Sequence, residues 1–387
     1  MADMTFDEFK QEIADNIKEY LPDKYADSIV QVNAVQKNNE TLDALTITSP
    51  DSNMSPTIYL NSFYEDYQNG RDMDDILDSI ADLRVEHEVN QDFDVSSITD
   101  FEKVSDKIAA RLYGMEGNEE LLSARPHATM DDLAVTYCIM LGDNENGSMS
   151  VPITNQIMET WGVTQEDLRR IAQENCDTLT PSKFMSMNAV MTDMMVPQIM
   201  SDYGINKEEA IKMVNDMVPT DDKLFVLTNN QKLNGAAALL DEKMMEQIAE
   251  RVGNDFYILP SSVHEVLIVP KEAGMDLKDL EAMVQEVNAT QVAPQDRLSD
   301  HVYQYDNETR EVFRADRAEE HQQKKEAAKD AVDMPKDAVA DKPKDKGDKE
   351  KTSLKERLED KKKESKEMEK KSPEKALEKG KKKEQSL

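Results

Sequence analysis

The sequence predicts an α+β fold with mixed or antiparallel sheets and helices on one face, followed by a disordered, charged tail. Three observations support this prediction. Segments with helical and with strand periodicity follow one another through the first 314 of the 387 residues. The last third of this body reads β-α-β-β-α-β, the order of a ferredoxin-like layer. After Phe313, the last aromatic residue, apolar residues become scarce and charged residues dominate.

The first 92 residues predict an N-terminal α+β lobe. Its first helix begins after Thr5, which has capping-box spacing to Glu8, and ends before Pro22 because proline lacks the N–H that a helix interior needs. A second amphipathic helix is predicted over 72–89, where apolar side chains recur at helical spacing. Between the two helices lie three strand candidates, separated by turn-rich segments: 29–36, 42–48 and 56–60.

A main α+β lobe is predicted over 93–314, and the sequence leaves open whether 1–314 is instead one continuous body. Helical patterns occur at 98–112, 154–161, 164–175, 183–200 and 207–217. Strand patterns occur near 119–124, 131–141 and 148–153. From residue 223 onwards the β-α-β-β-α-β order is clear. Its six elements are KLFVLT, NGAAALLDEKMMEQIAERVG, DFYILP, VHEVLIVP, DLKDLEAMVQEVNA and SDHVYQYD.

The segment 315–387 is predicted to be a disordered, Lys/Glu-rich tail. Residues 316–387 contain 23 Lys and Arg, 20 Asp and Glu, three Pro and no aromatic residue. Too little apolar surface is present to offset the entropy of ordering this part of the chain. The body before it, residues 1–315, carries 24 basic and 60 acidic residues.

The charge of the chain limits its partners. It has 47 Lys and Arg against 80 Asp and Glu, which gives a net charge of −33. Such a body repels phosphate groups, so we expect no direct nucleic-acid binding by it and no binding to a membrane. A protein that mimics DNA stays an alternative, although the body has only one net charge per about 370 Å², against about 100 Å² for duplex DNA.

The sequence also indicates a cytoplasmic protein. Cys138 and Cys176 are too few for a disulfide framework, which favours reduced thiols in a reducing compartment. The first 20 residues are acidic and lack the basic start and the apolar run of a signal peptide. No apolar stretch approaches the ~18 residues that a membrane-spanning helix needs.

The sequence lacks the motifs that identify most catalytic and cofactor sites. It contains neither GxxxxGK[ST] nor GxGxxG, the glycine-rich phosphate-binding patterns, and no GxSxG nucleophile motif. The five histidines show no HxxxH or HExxH spacing for a metal ion. We therefore predict no catalytic, cofactor-binding or metal-binding residues and no cofactor. Whether the protein is an enzyme stays open, and the sequence favours a non-enzyme.

Two groups of polar residues are candidate sites. One is a polar pocket that a dispersed enzyme site would need, formed by His127, Asp131, Asn155 and His264. The other lies on the predicted helix 72–89. There, acidic residues spaced 3, 4 and 4 apart form one stripe opposite the apolar face: Asp75, Asp78, Asp82 and Glu86. This stripe is a candidate interaction surface for a basic protein partner, and a merely solvated helix face is the alternative.

Seven segments resemble a bacterial family known as domain of unknown function 5688. They are MTFDEFKQEI, PTIYLNSFYEDYQNGRDMDDIL, ELLSARPHATMDDLAV, ITNQIMETWGVTQEDL, FVLTNNQKLNGAAALL, ILPSSVHEVLIVP and LSDHVYQYD. Members of that family occur in gut anaerobes and often on mobile elements. The resemblance covers most of residues 1–306, so it implies one continuous body, and it also implies a bacterial cytosol. It implies no activity and no catalytic residue. A fainter similarity, from Thr154 to Asp306, is to the Bacillus YtpQ-type family.

These observations favour a non-enzymatic interaction or accessory protein of the bacterial cytosol, for which a mobile element is one candidate origin. Two alternatives stay open. The first is an enzyme whose dispersed polar site the sequence does not reveal, and the second is an acidic inhibitor that mimics DNA. The position of the four polar-pocket residues and the exposure of the acidic stripe are the observations that distinguish these hypotheses.

Overall fold

The computed structural model describes residues 4–50, 52, 54–88, 98–144, 147–217 and 223–333. The chain divides into two compact units. The first contains Met1–Ile98 and Glu116–Leu121, and the second contains Thr99–Met115 and Leu122–Leu387.

Helices and strands alternate through the described residues. The α-helices are α1 Phe6–Tyr20, α2 Asn61–Gln68, α3 Met73–Glu86, α4 Phe101–Val104, α5 Glu119–Ser123, α6 Asn155–Trp161, α7 Gln165–Leu179, α8 Met187–Tyr203, α9 Lys207–Met217, α10 Glu242–Val252, α11 Leu277–Thr290 and α12 Ala318–Asp333. The strands are β1 Ile29–Lys37, β2 Glu40–Thr48, β3 Thr57–Tyr59, β4 Ile108–Gly114, β5 Ala128–Met130, β6 Leu133–Asn144, β7 Gly147–Pro152, β8 Ser182–Ser186, β9 Phe225–Asn229, β10 Phe256–Leu259, β11 Val266–Pro270, β12 Tyr303–Asp306 and β13 Glu311–Arg314. The mixture confirms the predicted α+β class.

The first unit is a three-stranded antiparallel sheet in the order β1-β2-β3, with helices on one face. The capping box predicted for α1 is present, because Thr5 Oγ1 accepts from the Glu8 N–H at 3.3 Å and Glu8 accepts from the Thr5 N–H at 2.8 Å. Phe9 of α1 and Ile76 of α3 are both fully buried, and they belong to one core with Leu45 of β2. Burial of these apolar side chains fixes both helices against the sheet.

In the second unit, the described residues form two antiparallel sheets. One has the order β4-β6-β5, with β7 paired to the far end of the long strand β6. Its register places Ile108 opposite Ile139 and Gly114 opposite Leu133. The other sheet has six strands in the order β13-β12-β10-β11-β9-β8.

The predicted β-α-β-β-α-β order is present from β9 to β12, but the sheet is not arranged as in a ferredoxin-like layer. Strand β11 lies between β9 and β10, as a split β-α-β unit requires. In the ferredoxin-like arrangement the fourth strand pairs with the first. Here β12 pairs with β10 instead, and β8 occupies the edge of β9.

This strand order places the two connecting helices on opposite faces of the six-stranded sheet, which corrects the prediction of helices on one face. Leu280 of α11 shares a core with Val269 of β11. Arg251 of α10 lies 5.2 Å from the ring of Phe225 on β9. Phe225 is paired with Ile268 of β11. Because Ile268 and Val269 are consecutive in the strand, their side chains lie on opposite faces of the sheet, and α10 is on the face of Ile268. The reason is the right-handedness of both crossovers. Because β12 lies beside β10 and not beside β9, the right-handed connection from β11 to β12 passes over the opposite face of the sheet from the connection between β9 and β10.

Three predicted elements have a different structure. The predicted helix 98–112 is a single helical turn, α4, followed by strand β4. The predicted strand near 119–124 is helix α5, and the first residues of the predicted helix 183–200 form strand β8. The segment Ile108–Gly114 contains good helix formers, but pairing along β6 outweighs this local preference.

Part of the predicted tail is helical. Residues 315–333, assigned to the disordered tail 315–387, contain helix α12. This helix is held by its own body, because Lys325 reaches Asp306 at 2.6 Å and the His321 ring stacks on Phe313 with centroids 3.8 Å apart. The prediction of disorder for 334–387 falls outside the described residues.

Among the described residues, no helix combines the length and the apolar character needed to cross a membrane. Both cysteines are free, with Cys138 buried and Cys176 half-buried. Burial raises the pKa of both thiols. Neither cysteine therefore has the lowered pKa of an activated nucleophile.

Candidate functional site

Helix α3 presents one row of carboxylates to solvent. Asp72 caps the helix, since its side chain accepts from the Asp74 N–H at 3.0 Å. Ile76 and Ile80 are fully buried on the side that faces the sheet. The predicted acidic stripe occupies the opposite side, and all four of its members are exposed: Asp75, Asp78, Asp82 and Glu86. We call these four residues the acidic face of α3.

The two arginines closest in sequence to the acidic face bind groups other than its four carboxylates. Arg71 donates to Asp66 Oδ2 at 3.1 Å and to the backbone carbonyl of Asp75 at 3.1 Å. Arg84 is only 2% exposed, and its Nε donates to the carbonyl of Ile47 at 3.0 Å. Within the described part of the chain, no Lys or Arg forms an ion pair with any of the four carboxylates of the acidic face.

Three carboxylates elsewhere in the first unit have a lysine partner. Lys10 Nζ lies 2.9 Å from both Asp7 and Asp43. Lys24 Nζ lies 2.6 Å from Glu88, and hydrogen bonding to this lysine is the main cause that lowers the pKa of the Glu88 carboxyl. The four carboxylates of the acidic face differ from these three in having no such lysine partner among the described residues.

Two of the four predicted polar-pocket residues lie beside one loop. His127 Nδ1 is 3.0 Å from the carbonyl of Arg125. Asn155 donates from Nδ2 to the carbonyl of Ser123 at 2.8 Å, and its backbone N–H donates to the carbonyl of Ala124 at 3.0 Å. Both side chains thus bind backbone carbonyls of residues 123–125, and they hold the chain after α5 in place.

The third predicted residue, His264, lies in a turn region next to β9. The backbone N–H of Asn234 donates to its Nδ1 at 3.2 Å, so the proton of the neutral ring is on Nε2, which lies 3.2 Å from Asp296 Oδ1. The carbonyl of His264 accepts from Thr228 Oγ1 at 2.8 Å. These contacts fix the tautomer and the orientation of the imidazole.

The fourth predicted residue, Asp131, belongs to a network at the turn between β5 and β6. Its backbone has a φ of +56°, and its Oδ2 accepts from the backbone N–H of Arg314 at 2.9 Å. Arg317 forms an ion pair with the other oxygen. The neighbouring Asp132 accepts from the hydroxyl of Tyr303 and lies 3.3 Å from Arg314 Nη1. The two carboxylates thereby connect the β5–β6 turn to β12 and β13.

The hydrogen bonds and ion pairs of this network have a structural role. Burial, followed by the charge of Asp132, raises the pKa of Tyr303, so the phenol stays protonated and acts as a hydrogen-bond donor. Each oxygen of both carboxylates already has a partner. His301 adds a further contact, with Nε2 3.8 Å from Asp132 Oδ2.

The four predicted side chains thus bind three different sets of partners, and the hypothesis of one shared polar site stays a prediction. The sequence did not reveal the roles of Tyr303 and Arg314. Tyr303 lies 171 positions after Asp132, and no periodic pattern links residues so far apart. Among the described residues, no three His, Cys, Asp or Glu side chains are arranged to hold a metal ion.

Comparison with known proteins identifies one family. Residues 6–307 match the family described as "Family of unknown function (DUF5688)". No curated protein matches the chain, and no solved structure matches it. The fainter similarity to the YtpQ-type family therefore has no support from these comparisons.

Proposed function

The chain belongs to the family of unknown function DUF5688, and we propose that it is a non-enzymatic interaction protein that binds a basic protein partner through the acidic face of α3. The observation that carries this proposal is that no Lys or Arg among the described residues forms an ion pair with the carboxylates of that face. Four carboxylates are exposed there, while Arg71 and Arg84, the nearest arginines in sequence, are engaged in other contacts.

Grouping four carboxylates on one helix face is unfavourable for the free protein. Like charges at i,i+4 destabilise an exposed helix by about 0.2–0.5 kcal/mol per pair, and Asp78, Asp82 and Glu86 supply two such pairs. The helix withstands this repulsion because Ile76 and Ile80 are fully buried on its other side. Lysine and arginine side chains of a partner relieve the repulsion on binding.

The rigidity of α3 also favours recognition. A helix held by a packed core presents its carboxylates at fixed spacing, so little conformational entropy is lost when they bind. A row of uncompensated negative charge also steers a positively charged surface toward the complex. The partner that fits is therefore a protein with a row or patch of Lys and Arg.

The cellular setting is part of the same proposal. We place the protein in the bacterial cytoplasm. Support comes from its acidic composition and from its two free cysteines, which suit a reducing compartment.

The experiment is capture of proteins from a bacterial lysate by three forms of the immobilised full chain. The first is the wild type. The second removes the acidic face through Asp75→Asn, Asp78→Asn, Asp82→Asn and Glu86→Gln. The third is a control with the same charge change at exposed helical carboxylates of the second unit: Glu208→Gln, Asp216→Asn, Asp279→Asn and Glu286→Gln.

We expect the wild type and the control variant to retain the same basic proteins, and the variant without the acidic face to lose them. Their recovery should also fall as salt is raised, because the contact is electrostatic. Equal capture by all three forms would contradict the proposal, since the charge of α3 would then be irrelevant to binding.

A further inference from the structure

The second unit contains a cavity of about 230 Å³ between the sheet β4-β6-β5 and helix α7. Its sheet wall includes Val135 and Tyr137, two positions apart on β6 and therefore on the same face, with Ala110 of β4 directly opposite Tyr137. Its helix wall includes Ala172 and Cys176, which lie one turn apart on α7. The small alanine side chains on both walls leave the space unfilled.

The cavity is open to solvent on one side, where its lining residues are exposed: Thr129, Arg169, Gln173, Glu242 and Arg310. At about 30 Å³ per water molecule, its volume equals that of roughly eight waters, which is enough for a small organic molecule. Most of its lining is aliphatic or aromatic carbon, with Leu239 of the turn Gly235–Leu240 on a third side. Such a space suits a ligand with an apolar ring.

Tyr137 adds an unpaired hydroxyl to the polar part of the lining, which also includes Thr129, Gln173 and Thr180. Tyr137 is only 1% exposed, and its hydroxyl has no hydrogen-bond partner among the described residues. Burial raises the pKa of this phenol to about 12, so it carries its proton at neutral pH and can donate. A buried hydroxyl that makes no hydrogen bond is unfavourable, and a ligand oxygen would provide the missing acceptor.

The charged side chains around the cavity are already paired. Arg169 Nη2 lies 3.2 Å from Glu166, and Arg310 Nη1 lies 2.8 Å from Glu246. Glu242, in turn, accepts from Gln173 at 2.9 Å. Since both cations have carboxylate partners, the surroundings favour a neutral ligand over an anion.

We propose that this cavity is a binding site for a small, neutral, mainly apolar molecule that carries one oxygen acceptor for the Tyr137 hydroxyl. A ring of about nine non-hydrogen atoms with a carbonyl group matches the volume at about 25 Å³ per atom, slightly below the share of a water molecule. The site belongs to the second unit and does not involve the acidic face of α3, so it is independent of the proposed function.

The test uses three probes of nearly equal shape on the full chain, followed by calorimetry or ligand-observed NMR. Acetophenone has the carbonyl oxygen, α-methylstyrene replaces it by a CH₂ group, and benzoate carries a negative charge. We expect acetophenone to bind about two- to tenfold more tightly than α-methylstyrene, the range of one hydrogen bond. Benzoate should bind most weakly of the three.

Two variants locate the binding. Tyr137→Phe removes only the hydroxyl, and it should reduce acetophenone binding to the level of α-methylstyrene while leaving α-methylstyrene unchanged. Ala172→Leu places extra carbon in the cavity and should weaken both neutral probes. Ala128→Leu, on the sheet wall, repeats this test if Ala172→Leu does not fold.

Several outcomes would overturn the inference. Binding of acetophenone that is unaffected by both Tyr137→Phe and the filled cavity places the probe elsewhere. Benzoate as the tightest probe shows that the site selects an anion. Absence of measurable binding by both neutral probes shows that the cavity holds only water.

Discussion

The ammonium of Lys325 lies 2.6 Å from the carboxylate of Asp306, and this contact joins helix α12 to the end of strand β12. The Asp306 side chain is 8% exposed. It also accepts from the backbone N–H groups of Glu308 at 2.8 Å and Thr309 at 3.1 Å. Burial alone would raise its pKa, but the hydrogen bonds from Lys325 and the two N–H groups outweigh burial and lower the pKa to about 2.

The lowered pKa of Asp306 predicts a pH-dependent part of the stability. In the unfolded chain an aspartate has a pKa of about 3.9. Because the pKa of Asp306 is lower in the folded chain, its ionised carboxylate stabilises the fold. This stabilisation is fully present above about pH 4 and is lost as pH falls toward 2. We expect the free energy of unfolding to fall by about 1–2 kcal/mol. Urea unfolding at pH 6 and pH 3 measures it. Asp306→Asn should show a smaller loss than the wild type, and equal losses would disprove the linkage.

Removing the cation should weaken the same contact at neutral pH. Lys325→Met leaves the buried Asp306 carboxylate without its ammonium partner, and we expect a loss of about 1–3 kcal/mol in the free energy of unfolding. The matched control is Lys324→Met, since Lys324 is the exposed neighbour on the same helix and should change stability by less than about 0.5 kcal/mol. Similar effects of both substitutions would show that α12 is not held by this contact.

Two buried tyrosines should respond differently to loss of the hydroxyl. Tyr303 and Tyr137 are each 1% exposed, but only Tyr303 donates to a carboxylate, that of Asp132. Tyr303→Phe should cost about 1–3 kcal/mol, because it leaves Oδ1 of Asp132 without its donor. Tyr137→Phe should be neutral or slightly stabilising. Denaturant unfolding of the two variants compares them, and a larger loss for Tyr137→Phe would contradict the contacts described.

Gly235 should tolerate no side chain. A Cβ added there would lie 2.1 Å from Thr228 Oγ1 and 2.5 Å from the carbonyl of His264. Gly235→Ala should therefore cost about 3 kcal/mol or more. Gly204 is the control, because it has a φ of +63° but nothing within 4 Å of an added Cβ. Gly204→Ala should cost only about 1–2 kcal/mol, the strain of the left-handed backbone. A thermal melt distinguishes the two, and equal costs would argue against close packing at Gly235.

The sequence predicted local features well because they depend on neighbouring residues. The capping box at Thr5, the amphipathic helix α3 and the exposure of its acidic face all follow from spacing within a few turns. Strand β4 was predicted as helix because its residues favour a helix locally, and only pairing with β6 makes them a strand. The strand order of the six-stranded sheet likewise depends on long-range pairing.

The candidate sites show the same division. The acidic face of α3 lies on one helix and could be read from spacing. The Asp132–Tyr303 hydrogen bond and the cavity at Tyr137 each join elements that are far apart in sequence. The helix start at Ala318 could not be predicted from composition, because contacts of Lys325 and His321 with the body stabilise a segment that is poor in apolar residues.

Zero-length carbodiimide coupling of the protein to the partner it captures tests the central claim most directly. The reagent joins a carboxylate to a lysine amine only where the two are in contact, and mass spectrometry of the product locates the bond. We predict cross-links from partner lysines to Asp75, Asp78, Asp82 or Glu86, and their loss in the variant that lacks these carboxylates. Cross-links confined to other carboxylates, such as Asp279 or Glu286 of the control set, would show that the acidic face of α3 is not the binding surface.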